Sequence, residues 1–201
     1  APASPAASLS PAVRMLVTAQ LVFYLAPAVM LPGLFLFVRR QPWGGKDASG
    51  VYAAVLTAST VVAMAAPLPL GLWAERRGER EVYTGVTLLA SLAALALAAA
   101  PSAAAFASSW SVLSVPISLR GVRAVYFARH VPPTELSRVG QLASAAGLVG
   151  SLAGPLLSQL PFTLYEFALL AAVLHAFALV GFLVFLPPPR RAPPLSRSPP
   201  P

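Results

Sequence analysis

The sequence has 201 residues, of which 57% are hydrophobic and only 10% are charged, and its net charge at pH 7 is +8. Soluble domains carry roughly 25% charged residues, so this composition cannot cover a protein surface in water and indicates the bilayer as solvent. The absence of cysteine excludes thiolate metal sites and disulfides, and the scatter of basic residues in small clusters argues against a nucleic-acid partner.

Six apolar runs follow one another along the chain, each with roughly the 20 residues that a helix needs to cross a bilayer. They cover residues 12–38, 50–73, 82–100, 103–127, 139–160 and 163–186. All six are predicted to be helical, because lipid offers the backbone no hydrogen-bond partner. Their internal prolines are expected to kink the helices without ending them.

The two ends of the chain have a different composition from the apolar runs. Residues 1–11 and 187–201 are rich in proline, and the second segment is also basic. Such segments favour extended, flexible structure over a packed fold. The sequence therefore predicts a flexible N-terminus, a transmembrane unit over 12–186, and a disordered tail or linker.

Basic residues predict the orientation of the spans, since short loops rich in Lys and Arg stay in the cytoplasm. With six spans both termini share one side. That side collects eleven of the fourteen basic residues, namely Arg14, Arg76, Arg77, Arg80, Arg120, Arg123, Arg129, Arg138, Arg190, Arg191 and Arg197. The opposite side holds Arg39, Arg40 and Lys46. Both termini are therefore predicted to be cytoplasmic.

The stretch GLWAERRGERE, residues 71–81, holds half of the six acidic residues, Glu75, Glu79 and Glu81, beside three arginines. It lies at the predicted cytoplasmic turn between spans two and three. One interpretation is an ordinary solvated turn that adds to the positive-inside charge. The other is that its carboxylates pair with arginines or with a helix N-terminus elsewhere in the protein.

The same stretch resembles the major facilitator superfamily motif Gly-x-Leu-x-Asp-Arg-x-Gly-Arg-Lys. The matching positions are Gly71, Arg76, Gly78 and Arg80. Glu75 replaces the usual Asp, Trp73 stands where Leu is usual, and Glu79 stands where a base is usual. The resemblance implies that Glu75 and Arg76 form a conformational latch, which closes the cytoplasmic side between two halves of a transporter.

Two later segments resemble the same superfamily. In YFARHVPPTELSR, residues 126–138, the positions that match its loop after span four are Tyr126, Ala128, Pro132, Pro133 and Glu135. This loop is similar to those of the lysosomal and vacuolar branch. In GLVGSLAGPLLSQL, residues 147–160, Gly150, Gly154 and Pro155 match the span-five Gly-x-x-x-Gly-Pro motif.

Over roughly residues 12–186, the resemblance implies an all-α integral membrane fold. It is a six-helix half bundle with a 3+3 repeat. Complete members of the superfamily have twelve spans, so this chain is expected to be an N-terminal half and thus a fragment.

Span five carries small residues at helical spacing: Gly140, Ala143, Gly147, Gly150, Gly154 and Ser158. Small residues let helices pack backbone to backbone in lipid, so this stripe, with Pro155, predicts a packing surface. Ser151 and His175 together could suggest an intramembrane serine protease. However, Val149 stands where a Gly-x-Ser nucleophile motif needs glycine.

His175 falls near the middle of span six. An ionisable group at the bilayer midplane is a functional candidate, here as a proton carrier. The competing interpretation is a structural, hydrogen-bonded histidine, which the resemblance favours because span six supports the bundle from its periphery.

Spans one and four line the cavity in the superfamily, so their polar residues are candidate solute contacts. These candidates are Gln20, Tyr24, Ser114, Ser118, Arg120 and Arg123. Gln20 and Tyr24 share a helix face, and could equally form a polar contact between packed helices. Arg120 and Arg123 also share a face, and could attract an anion or extend to the lipid headgroups.

The predicted function is therefore transport of a small solute by alternating access. The chain would rock against a second six-helix half, either a C-terminal half or another copy. The alternative is a six-span binding or scaffold module without transport activity. Enzymatic activity, a cofactor and a metal ion are not expected.

Overall fold

The computed structural model describes residues 9–188, apart from the Lys46 side chain. The α-helices in this range are α1 (Pro11–Arg40), α2 (Ala48–Ala65), α3 (Pro67–Arg77), α4 (Glu79–Ala98), α5 (Ala103–Ser114), α6 (Arg120–His130), α7 (Pro133–Leu157) and α8 (Leu164–Phe185). Turns of 3₁₀ helix at Gly45–Asp47 and Val115–Leu119 precede α2 and α6. Most of the two predicted flexible ends, residues 1–8 and 189–201, lies outside the described range.

Five helices, α1, α2, α4, α7 and α8, are long and apolar enough to cross a membrane. Every regular element between residues 9 and 188 is helical. The prediction of an all-helical, multi-pass membrane protein is therefore confirmed. The fourth predicted span, residues 103–127, does not form one such helix.

Prolines divide the second and fourth predicted spans. Pro67 opens α3 directly after α2, and Pro116 lies in the 3₁₀ turn between α5 and α6. Proline has no N–H to donate, and its ring crowds the preceding helical turn. Ala66, between α2 and α3, keeps helical backbone angles, with φ −61° and ψ −34°, so Pro67 kinks the second span without ending it. At Pro116 the α-helix gives way to a 3₁₀ turn. Pro27 and Pro32 lie inside an uninterrupted helix, as expected.

Helix α1 lies at the centre of the bundle. Its most extensive contact is with α7, and it also packs on α8 and α2. Helix α8 packs along α4, and α5 packs on α2 and α4. Large apolar side chains such as Leu148 and Phe177 remain exposed on the outside of the bundle, as expected for helices that face lipid.

One end of the bundle gathers the turn between α3 and α4 together with the ends of α6 and α8. Gly78 alone joins α3 to α4, with φ 92° and ψ 156°, a backbone conformation essentially confined to glycine. The Nη2 group of Arg80 donates a hydrogen bond to the Leu183 carbonyl near the end of α8, at 2.6 Å. This turn therefore belongs to the packed structure and is not a loose loop.

Candidate functional site

A polar groove lies where α1, α6 and α7 meet, and its volume is about 320 Å³. Its lining residues are Gln20, Tyr24, Arg120, Arg123, Ala143, Ser144, Gly147, Leu148 and Ser151. The lining contains two arginines, three neutral polar side chains from Gln and Ser, and one phenol, but no carboxylate. The groove is therefore electropositive.

Helical spacing brings these side chains to one place. Gln20 and Tyr24 are one turn apart on α1, and Arg120 and Arg123 share a face of the first turn of α6. A Cβ on Gly147 would lie 3.2 Å from two carbons of the Tyr24 ring. The glycine therefore lets the phenol lie close against α7 at the floor of the groove.

Each of the two arginines is held differently. The Nη2 group of Arg120 donates to the Tyr24 hydroxyl at 3.2 Å. Arg123 is only 9% exposed, and its Nη1 has no hydrogen-bond partner within residues 9–188. A buried guanidinium group with unused donors is costly, so Arg123 is the least satisfied charge of the groove.

The structure brings together four of the six predicted cavity residues, Gln20, Tyr24, Arg120 and Arg123. Ser114 and Ser118 do not line the groove. The Ser114 hydroxyl donates to the Trp110 carbonyl of its own helix at 3.0 Å. The Ser118 hydroxyl donates to the Ala63 carbonyl of α2 at 3.0 Å. The Ser118 bond thus joins α2 to the turn before α6, whereas the Ser114 bond stays within α5.

Two serines of α7, Ser144 and Ser151, line the groove and were not predicted as solute contacts. The sequence could have indicated these two serines, because Ser144 lies three residues before Gly147 and Ser151 four residues after it. Both therefore share the helix face of Gly147.

The charged stretch 71–81 forms two helix ends joined by Gly78. Arg76 and Arg77 lie in the last turn of α3, while Glu79 and Glu81 lie in the first turn of α4. These four charges complement the dipoles of their helix ends, whereas Glu75, in the last turn of α3, and Arg80, in the first turn of α4, do not. This placement alone accounts for much of the clustering of charge in the sequence.

One ion pair connects this turn to another part of the bundle. Arg129 Nη1, in the last turn of α6, lies 2.7 Å from Glu79 Oε1. Glu75 and Arg76, the residues singled out by the resemblance, make no ion pair within the described part of the chain. Arg129 was not predicted as a latch residue, because no local sequence pattern relates it to Glu79, 50 positions earlier.

The small residues of α7 lie directly against α1. A Cβ on Gly150 would lie 2.5 Å from the Leu21 carbonyl oxygen. A Cβ on Gly154 would lie 2.6 Å from the Ala28 carbonyl carbon, and Pro155 follows inside the same helix. The close approach does not reach the start of α7, since a Cβ on Gly140 would meet nothing within 4 Å among residues 9–188.

His175 is completely buried in α8. Its Nδ1–H donates to the Ala171 carbonyl at 2.7 Å, and its ring stacks on Phe23 of α1 with the centroids 6.0 Å apart. Its Nε2 has no hydrogen-bond partner in the described part of the protein. Ser151 lies in the groove and His175 does not, so the structure does not bring together a serine–histidine pair.

Metal ligation has no obvious place in the part of the chain that the structure describes. Within residues 9–188, no three His, Asp or Glu side chains come together as metal ligands would. Comparison with known proteins returned no matching family model, no matching curated protein and no matching solved structure.

Proposed function

We propose that this chain forms a six-span half of an alternating-access transporter of the major facilitator type, and that it moves a small solute. The observation that carries the proposal is the polar groove, which lies beside the middle of two helices that are long and apolar enough to cross a membrane. Tyr24 lies near the midpoint of α1, and Gly147 lies near the midpoint of α7. Secondary transporters hold their solute at this depth, between two units that rock against each other.

The pairing of helices supports the family assignment. In this numbering, span one is α1, span two is α2 together with α3, and span three is α4. Span four is α5 together with α6, span five is α7, and span six is α8. The major pairs are then one–five, two–four, one–six, three–four and three–six. If span one is exchanged with span four, span two with span five and span three with span six, the same five pairs result. A 3+3 repeat requires such a pattern.

In this proposal, α5, the 3₁₀ turn and α6 together form span four as one broken span. This span brings the number of crossings to six. These elements follow one another from Ala103 to His130 without an intervening loop. Interrupted helices are tolerated at membrane depth where protein covers the freed backbone or where a cavity is lined. The break at Val115–Leu119 immediately precedes Arg120, so the interruption lies beside the groove.

The charged turn supports a conformational role. The Glu79–Arg129 pair joins the turn between spans two and three to the end of span four. Glu75 borders a crevice beside this pair, together with Gly71 and Gly121. We assign Glu79 and Arg129 to the contact that stays within this half, and Glu75 to contact with the second half when the cytoplasmic side closes.

Single-cysteine labelling tests the proposal. The sequence has no cysteine, so the introduced cysteine is the one thiol of the 201 residues that can react. A membrane-impermeant maleimide is applied from either side to membranes of known orientation that contain the chain and its native partners. We expect Ser151→Cys in the groove to react from both sides, because alternating access exposes the groove to each in turn.

Two exposed positions serve as controls for topology. Arg77→Cys should react only from the cytoplasm, and Ser49→Cys, at the other end of the bundle, only from the opposite side. If both controls behave in this way and Ser151→Cys reacts from one side alone, the groove does not alternate. The chain is then a static membrane module, which is the scaffold alternative.

A further inference from the structure

We propose that the groove binds an oxyanion, a phosphate or dicarboxylate group of a small solute, between Arg120 and Arg123. This inference rests on the proposed transport function, because it names the chemical class of the solute. It follows from three features of the groove: its uncompensated charge, its unused donors and its depth.

The charge of the lining is the first feature. Arg120 and Arg123 contribute two positive charges that are permanent at any physiological pH. The other lining residues from α1, α6 and α7 are neutral, so no carboxylate in the lining offsets these charges. A group with two negative charges would neutralise the groove, and guanidinium groups match phosphate and carboxylate oxygens in geometry.

The unused hydrogen-bond donors are the second feature. Arg123 is more than nine-tenths buried, lines the groove, and has at Nη1 a donor without a partner among residues 9–188. Arg120 uses one donor on Tyr24 and retains others. Ser151 and Gln20 add neutral donors at the same site, whereas the Ser144 hydroxyl already donates to the Gly140 carbonyl at 2.9 Å. The Nη1 atom itself is enclosed by the protein. An oxyanion in the groove would therefore accept from the other donors and be attracted by the charge of Arg123.

Depth is the third feature, and it separates a solute from a lipid headgroup. Arg129, at the end of the bundle, lies nine residues beyond Arg120, which is about 14 Å along a helix at about 1.5 Å per residue. Arg120 turns toward Tyr24 at the middle of α1 and not toward the bundle end. The groove volume of about 320 Å³ also lies in the range of small-molecule sites.

Calorimetry on the 201-residue chain in phosphatidylcholine nanodiscs tests the inference, with inorganic phosphate and succinate as probes at constant ionic strength and pH 7.5. We expect both dianions to bind saturably and neutral glycerol not to bind. Arg120→Gln and Arg123→Gln should each weaken binding about tenfold or more, because each removes charge-assisted hydrogen bonds. Arg138→Gln removes the same charge from an exposed position of α7 outside the groove, and should change nothing.

The inference is overturned if neither dianion binds, or if both groove variants bind as tightly as the parent chain. Arg120 is exposed, so Arg120→Gln keeps the test valid even if Arg123→Gln does not fold. A second set of nanodiscs contains phosphatidylglycerol. The groove would be assigned to a lipid headgroup by two results together. Phosphate binding would be lost in these nanodiscs, and native mass spectrometry would show that the parent chain retains phosphatidylglycerol but Arg120→Gln does not. Calorimetry does not depend on transport, so one-sided labelling of Ser151→Cys would refute alternating access and leave the oxyanion site standing.

Discussion

At the scale of single residues, Gly78 has the most demanding backbone conformation. Its φ of 92° with ψ of 156° falls in a region that is essentially closed to other residues. We expect Gly78→Ala to destabilise the protein by about 1–3 kcal/mol, because the Cβ strains the one-residue link between α3 and α4. Thermal unfolding of the purified chain measures this loss.

Gly71→Ala is the matched control for this substitution. Gly71 lies inside α3, and a Cβ there would meet nothing within 4 Å in the described structure. Alanine also has a higher helix propensity than glycine, so this variant should be at least as stable as the parent chain. Equal unfolding temperatures for Gly71→Ala and Gly78→Ala would contradict the requirement for glycine at position 78.

The ion pair between Glu79 and Arg129 is the second residue-scale test. The Arg129 side chain is 56% exposed and that of Glu79 is 18% exposed, so the pair should contribute only about 0–1 kcal/mol to stability. Its effect on conformation should be larger, because it holds the turn beside Glu75, the residue that we propose contacts the second half. We expect Glu79→Gln to change the rate at which Ser151→Cys reacts from the cytoplasmic side.

A double-mutant cycle separates the pair from general charge effects. If Glu79 acts through Arg129, the labelling rate of the double variant Glu79→Gln/Arg129→Gln should match that of either single variant. Glu81→Gln removes an acidic residue from the same helix turn and should leave the rate unchanged. Additive effects of the two substitutions would show that the residues act independently.

At the scale of elements, the contact of α1 with α7 depends on glycine. A Cβ on Gly150 or Gly154 would run into backbone atoms of α1. Since backbone cannot rotate away as a side chain can, we expect Gly150→Ala and Gly154→Ala to push the two helices apart and lower the unfolding temperature. Gly140→Ala, on the same helix where nothing lies within 4 Å among the described residues, should be neutral. Three equal unfolding temperatures would contradict this account.

Much of this element-scale structure could be predicted from the sequence, because hydropathy and helical spacing are local properties. The apolar runs locate the five helices between residues 9 and 188 that are long and apolar enough to span a membrane. The spacing of Gly147, Gly150 and Gly154 predicts one packing face. The division of span four at Pro116 was not predictable in the same way. Some membrane prolines, such as Pro27, only kink a helix, and the surrounding protein decides the outcome.

The site was less predictable than the fold for a related reason. Four groove residues could be named from the helices that carry them, but their grouping depends on which helices pack together. Ser118, for example, does not line the groove, and its hydroxyl donates to the Ala63 carbonyl of α2 across the bundle. The Glu79–Arg129 pair depends on tertiary structure in the same way, since it joins residues far apart in the chain.

At the scale of the whole molecule, the half-transporter proposal requires a partner that covers the groove. Arg120 is exposed in the isolated bundle. If the groove lies at the proposed depth, a charged side chain that faces lipid there costs about 2.5–3.5 kcal/mol on insertion scales. The chain should therefore self-associate through this face, or lose structure as a monomer. We also expect no saturable solute flux from the chain alone in liposomes, because alternating access needs two units with the site between them.

Size-exclusion chromatography with light scattering, followed by uptake in liposomes, measures both expectations. Arg120→Leu removes the charge that the partner must cover, so this variant should show a larger monomeric fraction than the parent chain. Arg138→Leu makes the same replacement at an exposed position outside the groove and should leave the oligomeric state unchanged. Because one half supplies only one side of the pathway, saturable and inhibitable uptake by a chain that is monomeric in detergent would overturn the half-transporter proposal.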